Sequence, residues 1–156
     1  DPFVGRGYEK TLGVDRYDDL DSFLGKVDIV SINASLTDSS YEMVDDSFIK
    51  KMKDKSYLIN TARGKIIKDI DIFIKPIEDG KILGVGLDVL PVEPPLNSGI
   101  INSWKKNEKW LSDRLIINPH AGYYSQESWV EMRIKAAENA QRVLEKKEPF
   151  NILIKN

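Results

Sequence analysis

The sequence has 156 residues, a formal net charge of −2, one histidine and no cysteine. The length suits one domain, and the charge gives no electrostatic basis for binding nucleic acid or an anionic membrane. Without cysteine there are no disulfides or thiolate metal sites, and no apolar run reaches the ~20 residues of a membrane span, so we expect a cytoplasmic protein without a metal.

The first half of the chain alternates helical and strand-like segments. Residues 17–24 predict a short helix, and the apolar run 27–32 predicts a buried strand. Asp45 or Asp46 is typical of a helix N-cap. The helix that follows places three apolar residues on one side: Phe48, Ile49 and Met52. Residues 57–60 predict the next strand.

A helical pattern continues over residues 70–79, and Gly80 suits the position just after a helix. Pro76 falls inside this pattern. Proline removes a backbone N–H and clashes with the preceding turn, at a cost of ~3 kcal/mol. We therefore predict a kinked or shortened helix here, followed by a strand over 82–89.

The last strand is predicted over 114–118, after a long polar connection over 96–113. A long helix then runs from 126 to 147. Its apolar residues recur at spacings of three and four, which predicts a buried face: Trp129, Met132, Ala136, Ala140, Val143 and Leu144. Four strands separated by helical segments predict an α/β fold with a Rossmann-like parallel sheet and right-handed crossovers.

Three chemically capable residues, Arg63, Glu93 and His120, each follow a predicted strand. In an open α/β sheet, the carboxyl ends of the strands line the ligand crevice. Arginine matches a carboxylate with a planar fork, histidine exchanges protons near neutral pH, and a glutamate can hold the second ring nitrogen. This set suits reduction of a 2-keto acid. Because no side chain donates hydride, a nicotinamide cofactor is implied.

Each of these residues also fits an ordinary position in a protein. A lone histidine after a strand is commonly structural, an arginine in a turn is commonly solvated, and Glu-Pro is a common loop dipeptide. Residue type alone leaves both interpretations open.

Three ordered motifs resemble the D-isomer-specific 2-hydroxyacid dehydrogenase family. Residues 60–64 resemble its N-T-A-R-G segment, 86–94 its G-x-D-V-x-x-x-E-P segment, and 118–120 its T-P-H segment with Asn in place of Thr. The resemblance implies an NAD-dependent oxidoreductase acting on a small 2-hydroxy or 2-keto acid. Arg63 would bind the substrate carboxylate, and His120 with Glu93 would form the acid–base pair. Asp88 would lie by the nicotinamide carboxamide.

The resemblance also implies further contacts to NAD and substrate. Residues 1–3 resemble the end of the second Rossmann strand, where Asp1 would bind the adenosine ribose and disfavour NADP. The loop 33–37 resembles the family's H-x-P-L-T loop, although a plain polar turn fits it equally. Tyr123 is implied at the substrate. The remaining implied cofactor contacts are Asn33, Ala34, Thr37, Thr61, Ala62, Arg63, His120 and Gly122.

The glycine-rich phosphate loop, expected roughly 20 residues before Asp1, is not in the sequence. The segment 5–7 reads Gly-Arg-Gly but is followed by Lys10 rather than glycine, and we interpret it as a flexible turn. We therefore predict a partial NAD-binding Rossmann domain over 1–147 that lacks the first strand. Residues 148–156 would form a tail returning toward an absent substrate domain.

Residues 120–125 (HAGYYS) and 131–133 (EMR) resemble the C-terminal binding protein corepressors, which bind NAD(H) and act mainly as transcriptional scaffolds. Three functions follow from these resemblances. The favoured one is an NAD-dependent dehydrogenase, and the others are an NAD(H)-sensing scaffold with little turnover or an inactive truncated fragment. A scaffold would allow a nuclear location. The family implies a homodimer.

Overall fold

A computed structural model describes residues 4–95 and 98–152 of the chain. The chain divides into two compact units, the first ending at His120 and the second beginning at Ala121. The prediction for Asp1 lies outside the described residues, as does the end of the predicted tail, 153–156.

The first unit is built on four parallel strands that lie side by side in chain order. The strands are β1 (Ile29–Ile32), β2 (Ser56–Asn60), β3 (Ile82–Leu87) and β4 (Leu115–Ile117). All four predicted strands are confirmed to within two residues, and so is the parallel α/β fold class. Because the strands are parallel, their carboxyl ends share one edge of the sheet.

Short helices precede β1 and connect the strands of this unit. They are α1 (Tyr8–Leu12), α2 (Leu20–Leu24), α3 (Asp46–Lys51), α4 (Ile74–Glu78) and α5 (Gly99–Lys105). Asp45 is the N-cap of α3, because its carboxylate accepts the Phe48 N–H at 2.9 Å. The predicted apolar side of this helix is confirmed, since Phe48, Ile49 and Met52 are buried.

The segment around Pro76 is shortened as predicted. A 3₁₀ turn over Ile70–Phe73 precedes α4, so Pro76 is the third residue of the α-helix. The N–H groups of the first helical turn have no partner within the helix, and proline therefore loses no hydrogen bond there. Gly80 follows the helix with a φ of 73°, the left-handed conformation expected after a helix end.

The long polar connection predicted before β4 contains a helix, α5, in its described part. Ser98 is the N-cap of this helix, and the Asp71 carboxylate accepts the Gly99 N–H at 2.8 Å and the Ile100 N–H at 2.9 Å. The apolar side of α5 packs into the core, with Ile100 and Ile101 buried. A serine followed by paired isoleucines was the signal for this helix.

One face of the sheet forms the core of the first unit. The row across its centre is Val30, Leu58, Val85 and Leu115, and each is at most 5% exposed. Helical residues complete the cluster: Phe48, Phe73, Ile77 and Ile100. Apolar residues on the opposite face are 38–64% exposed: Ile29, Tyr57, Ile59 and Ile116.

The second unit contains one long helix, α6 (Gln126–Leu144), which begins with a reciprocal Ser125–Ser128 capping box. The predicted buried face of this helix is wrong, because all six residues predicted to form it are exposed. In the described part of this unit, only the segment after the helix folds back onto it. There the side-chain amide of Asn139 donates to the Phe150 carbonyl and accepts the Phe150 N–H. The spacing of apolar residues predicts that a helix has an apolar face. It does not show whether the rest of the same unit covers that face. Within the described ranges, no helix is both long and apolar enough to cross a bilayer.

Candidate active site

Main-chain hydrogen bonds align the loops that leave the carboxyl edge of the sheet. The Asp88 N–H donates to the Asn60 carbonyl at 3.0 Å, which joins the ends of β2 and β3. The Asn118 N–H donates to the Leu87 carbonyl at 2.9 Å, which joins the ends of β3 and β4. The three loops that contain the predicted motifs therefore begin side by side.

His120 and Glu93 meet at this edge. Nδ1 of His120 lies 2.8 Å from Oε2 of Glu93, and the other carboxylate oxygen of Glu93 accepts the Leu90 N–H at 2.8 Å. The hydrogen bond with His120, followed by the one from Leu90, lowers the pKa of Glu93 below its usual value. Partial burial and the nearby charge of Asp88 oppose this shift. The carboxylate is therefore ionised at neutral pH and occupies one side of the imidazole ring.

The main chain of His120 has a φ of 53°, in the left-handed region. Few residues other than glycine adopt this conformation, although histidine is among the more tolerant. Such strained residues cluster at functional sites, where the surrounding structure holds them in place. Here the carboxylate of Glu93 contributes to holding the ring.

Arg63 lies in a turn that Asn60 organises. Asn60 is fully buried at the end of β2, its Oδ1 accepts the Ala62 N–H at 3.0 Å, and its Nδ2 donates to the Arg63 carbonyl at 3.1 Å. The guanidinium of Arg63 is exposed and donates through Nη1 to the Ala62 carbonyl at 2.8 Å. Among the described residues it forms no ion pair with Glu93, so the acid–base pair and the cation stay separate.

Gly64 brings the turn of Arg63 against the loop of Glu93. A Cβ at position 64 would lie 1.9 Å from the Leu90 carbonyl oxygen and 2.7 Å from the Pro91 nitrogen. Only glycine permits two main chains to approach this closely. The contact fixes the separation of the two loops.

The other predicted site residues of the first unit lie at or beside the same edge. Asp88 is 4% exposed and directly follows β3. Asn33 follows β1, and its Nδ2 donates to the Ser31 hydroxyl at 3.1 Å. The Thr37 N–H donates to the Ser40 hydroxyl at 2.8 Å. Four of these predicted contacts are exposed: Asn33, Ala34, Thr37 and Thr61.

Two predicted site residues, Gly122 and Tyr123, belong to the second unit. There Tyr123 is 52% exposed and packs edge-on against Tyr124, with ring centroids 6.3 Å apart. Its carbonyl accepts a hydrogen bond from the Ser128 hydroxyl, which links it to the start of α6. The assignment of Gly122 to the cofactor and of Tyr123 to the substrate remains a prediction.

The polar groups at the sheet edge fit the nicotinamide half of a dinucleotide. The nicotinamide carboxamide needs an acceptor for its NH₂, and the carboxylate of Asp88 is a group of that kind. The Gly5–Gly7 segment does not suit the pyrophosphate, because the Gly7 N–H already donates to the Glu9 carboxylate at 2.8 Å. The interpretation of that segment as a turn agrees with this contact.

Sequence reasoning assigned no role to Asn60, Gly64 or Leu90, although all three position the predicted residues. An asparagine directly after an apolar run is typical of an Asx turn, and this signal could have indicated Asn60. No sequence signal reports the approach of Gly64 to Leu90, because it depends on where two distant loops meet.

Comparison with known proteins matches residues 2–122 to the family described as "D-isomer specific 2-hydroxyacid dehydrogenase, NAD binding domain". A protein of Schizosaccharomyces pombe named as a 2-hydroxyacid dehydrogenase is 40% identical over 118 residues, 75% of this chain and 31% of its own length. An aromatic 2-oxoacid reductase of Clostridium sporogenes is 34% identical over 146 residues, 81% of this chain and 43% of its own length.

Among solved structures, apo D-mandelate dehydrogenase from Rhodotorula graminis superposes with a TM-score of 0.79 at 27% identity. The match covers 99% of this chain and 43% of that one. The chain thus spans less than half the length of each of these relatives.

Proposed function

The chain belongs to the D-isomer specific 2-hydroxyacid dehydrogenase family, and we propose that it forms the nicotinamide site and acid–base pair of an NAD-dependent dehydrogenase that interconverts 2-hydroxy and 2-oxo acids. The observation that supports this most directly is the 2.8 Å hydrogen bond between Glu93 and His120 at the carboxyl edge of a parallel sheet. Ligands bind at this edge in open α/β folds.

Asp88, Asn33 and the main chain of the 61–63 turn would hold the nicotinamide half of NAD. When bound, the cofactor supplies the hydride that C2 of a 2-oxo acid accepts, and takes it back in the reverse direction. Asp88 suits this position because its side chain is buried directly after β3 and its main-chain N–H donates to the Asn60 carbonyl at the end of β2.

His120 is the proton donor in the reducing direction. With Nδ1 bound to Glu93, Nε2 on the opposite side of the ring is the nitrogen that serves the substrate oxygen. As the carbonyl becomes a hydroxyl, its oxygen gains the proton from Nε2 and the ring is left neutral. Glu93 stays ionised throughout and orients the ring for this proton transfer.

Arg63 binds the substrate carboxylate. Its Nη1 is committed to the Ala62 carbonyl, so Nε and Nη2 form the remaining pair of donors. Two parallel N–H groups on one edge of a guanidinium match the two oxygens of a carboxylate. This edge would orient the carbonyl of the acid toward His120.

Two relatives carry names that refer to aromatic acids, an aromatic 2-oxoacid reductase and a D-mandelate dehydrogenase. We therefore place phenylpyruvate and benzoylformate beside pyruvate in the first substrate panel. Tyr123 remains the proposed substrate contact of the second unit, and a homodimer remains the proposed assembly, which light scattering of the purified protein would test.

The function is tested by titrating the purified protein with NADH, followed by energy transfer from its three tryptophans, and then adding each 2-oxo acid. Saturable NADH binding with oxidation of NADH by at least one acid supports the dehydrogenase. Tight binding without turnover would instead fit a corepressor-like scaffold. Absence of binding by the folded protein would fit an inactive fragment.

A further inference from the structure

The side chain of Asn60 links the end of β2 to the turn that presents Arg63. We propose that Asn60 is a positioning residue of the site, whose amide holds Arg63 in place while its main chain anchors the Asp88 loop. The inference rests on the proposed function, because it assumes that Arg63 binds the substrate carboxylate.

Both ends of the amide are used within the turn. Oδ1 accepts the Ala62 N–H at 3.0 Å, and Nδ2 donates to the Arg63 carbonyl at 3.1 Å. The same carbonyl also accepts the Ile66 N–H at 3.2 Å, from the 3₁₀ turn that follows. The Arg63 carbonyl is therefore hydrogen-bonded to Asn60 at the end of the preceding strand and to Ile66 in the 3₁₀ turn that follows.

The turn that Asn60 organises is connected to the acid–base pair. Gly64, the next residue, packs against the main chain of Leu90, and the N–H of Leu90 holds the carboxylate of Glu93. Asn60 also accepts the Asp88 N–H through its carbonyl. One buried residue thus sets the starting points of two loops that reach the proposed substrate.

Few residues other than asparagine fit these contacts. Aspartate keeps the acceptor but loses the donor and places a charge at a site with no exposure, which is costly. Serine and alanine do not span the turn. A buried amide whose donor and acceptor are both bonded contributes to specificity of conformation. Removing it takes the acceptor from the Ala62 N–H and leaves the Arg63 carbonyl with the Ile66 N–H.

Ser56 provides a matched control on the same strand. It lies on the same face of β2, is fully buried, and its hydroxyl has no hydrogen-bond partner among the described residues. The substitution Ser56→Ala therefore removes a buried polar group from β2 without touching the turn. It shows whether truncating any buried polar side chain of β2 changes KM, or only the one that bonds the turn.

The test compares Asn60→Ala, Ser56→Ala, Arg63→Ala and the double variant Asn60→Ala/Arg63→Ala in the purified protein. We expect Asn60→Ala to raise KM for a 2-oxo acid by ~10-fold. In the Arg63→Ala background, the effect of Asn60→Ala on KM should disappear, because both substitutions remove the same interaction. Ser56→Ala should leave KM unchanged.

Amide hydrogen exchange gives a readout that does not need turnover. In Asn60→Ala the Ala62 N–H should exchange at least ~10-fold faster, while the Asp88 N–H, bonded to the main chain of residue 60, should not change. If Asn60→Ala does not fold, Asn60→Ser leaves a smaller void and serves in its place. Asn60→Asp, which keeps the acceptor, should keep Ala62 protected.

The proposal is overturned if exchange at Ala62 is unaffected, if Ser56→Ala raises KM equally, or if the effect of Asn60→Ala persists in full without Arg63. If the wild-type protein reduces no 2-oxo acid, the proposed function fails by itself. Exchange at Ala62 then decides whether the Asn60 amide holds the turn of Arg63: faster exchange upholds that hold, and unchanged exchange overturns it.

Discussion

Oε2 of Glu93 and Nδ1 of His120 lie 2.8 Å apart although 27 positions separate them in the chain. Glu93 lies in the loop that follows β3, and His120 lies in the loop that follows β4. The pairing therefore depends on these two strands being neighbours in the sheet. The bond unites the only histidine in the sequence with an ionised carboxylate.

The first prediction concerns the titration of Glu93. Its lowered pKa means that the ionised, bonded form stabilises the fold fully above the pKa of an unfolded glutamate, and that this contribution is lost as pH falls through the lower folded value. In His120→Ala the pKa of Glu93 should rise, as measured by carboxyl ¹³C NMR. Glu108, whose pKa is lowered by Trp110 instead, should titrate as before. An unchanged Glu93 in this variant would mean that the pair does not form in solution.

The second prediction concerns Gly64. In Gly64→Ala the new methyl group would overlap the Leu90 carbonyl, and one of the two loops must move. We expect a loss of stability of about 2–4 kcal/mol in chemical denaturation. Gly86→Ala is the matched control, because a Cβ there would meet only the Ile59 side chain at 3.8 Å. Equal stability of the two variants would show that the loops do not touch.

The third prediction concerns Ser56, whose buried hydroxyl has no partner among the described residues. Removing a buried hydroxyl that has no hydrogen-bond partner removes the free-energy cost of having taken it out of water. Ser56→Ala should therefore be as stable as the wild type or more stable by up to about 1 kcal/mol. Ser40→Ala should instead lose about 1–2 kcal/mol, because the Ser40 hydroxyl bonds the Ser35 carbonyl at 2.7 Å and the Thr37 N–H at 2.8 Å. Thermal denaturation of both variants measures these two changes in stability. A destabilised Ser56→Ala would contradict the prediction.

The fourth prediction concerns Asp71 at the start of α5. Burial raises its pKa, but the Ile100 N–H, the Ser98 hydroxyl and the Gly99 N–H outweigh this and hold the pKa below its usual value. Asp71→Ala should cost about 1–2 kcal/mol at neutral pH, as for other lost helix caps. The difference from the wild type should shrink as pH falls through the lowered folded pKa, since a protonated Asp71 no longer serves as a full acceptor. A difference that stays constant with pH would contradict this account.

Much of the fold was predictable because parallel strands buried on one face appear as short apolar runs. The positions directly after those runs then gave Arg63 and His120, since strand ends converge in this class of sheet. Pro76 was predictable for a local reason, because its ring restricts the helix wherever the rest of the chain lies.

Other features depend on contacts between distant segments. The capping of α5 by Asp71 joins residues 28 positions apart, and the close approach of Gly64 to Leu90 joins two loops. The left-handed backbone of His120 follows from the path of its turn and has no sequence signature. The period of the apolar residues in α6 correctly predicted a helix, but it could not show that these residues are exposed in the second unit.

The central claim is that His120 and Glu93 act as an acid–base pair on a 2-oxo acid. It is tested most directly by the initial rate of NADH oxidation with phenylpyruvate, benzoylformate and pyruvate in the wild-type protein, His120→Gln and Glu93→Gln. The account predicts that the wild type oxidises NADH with at least one acid and that each variant loses at least ~100-fold in kcat while still binding NADH. Full activity in either variant would contradict it.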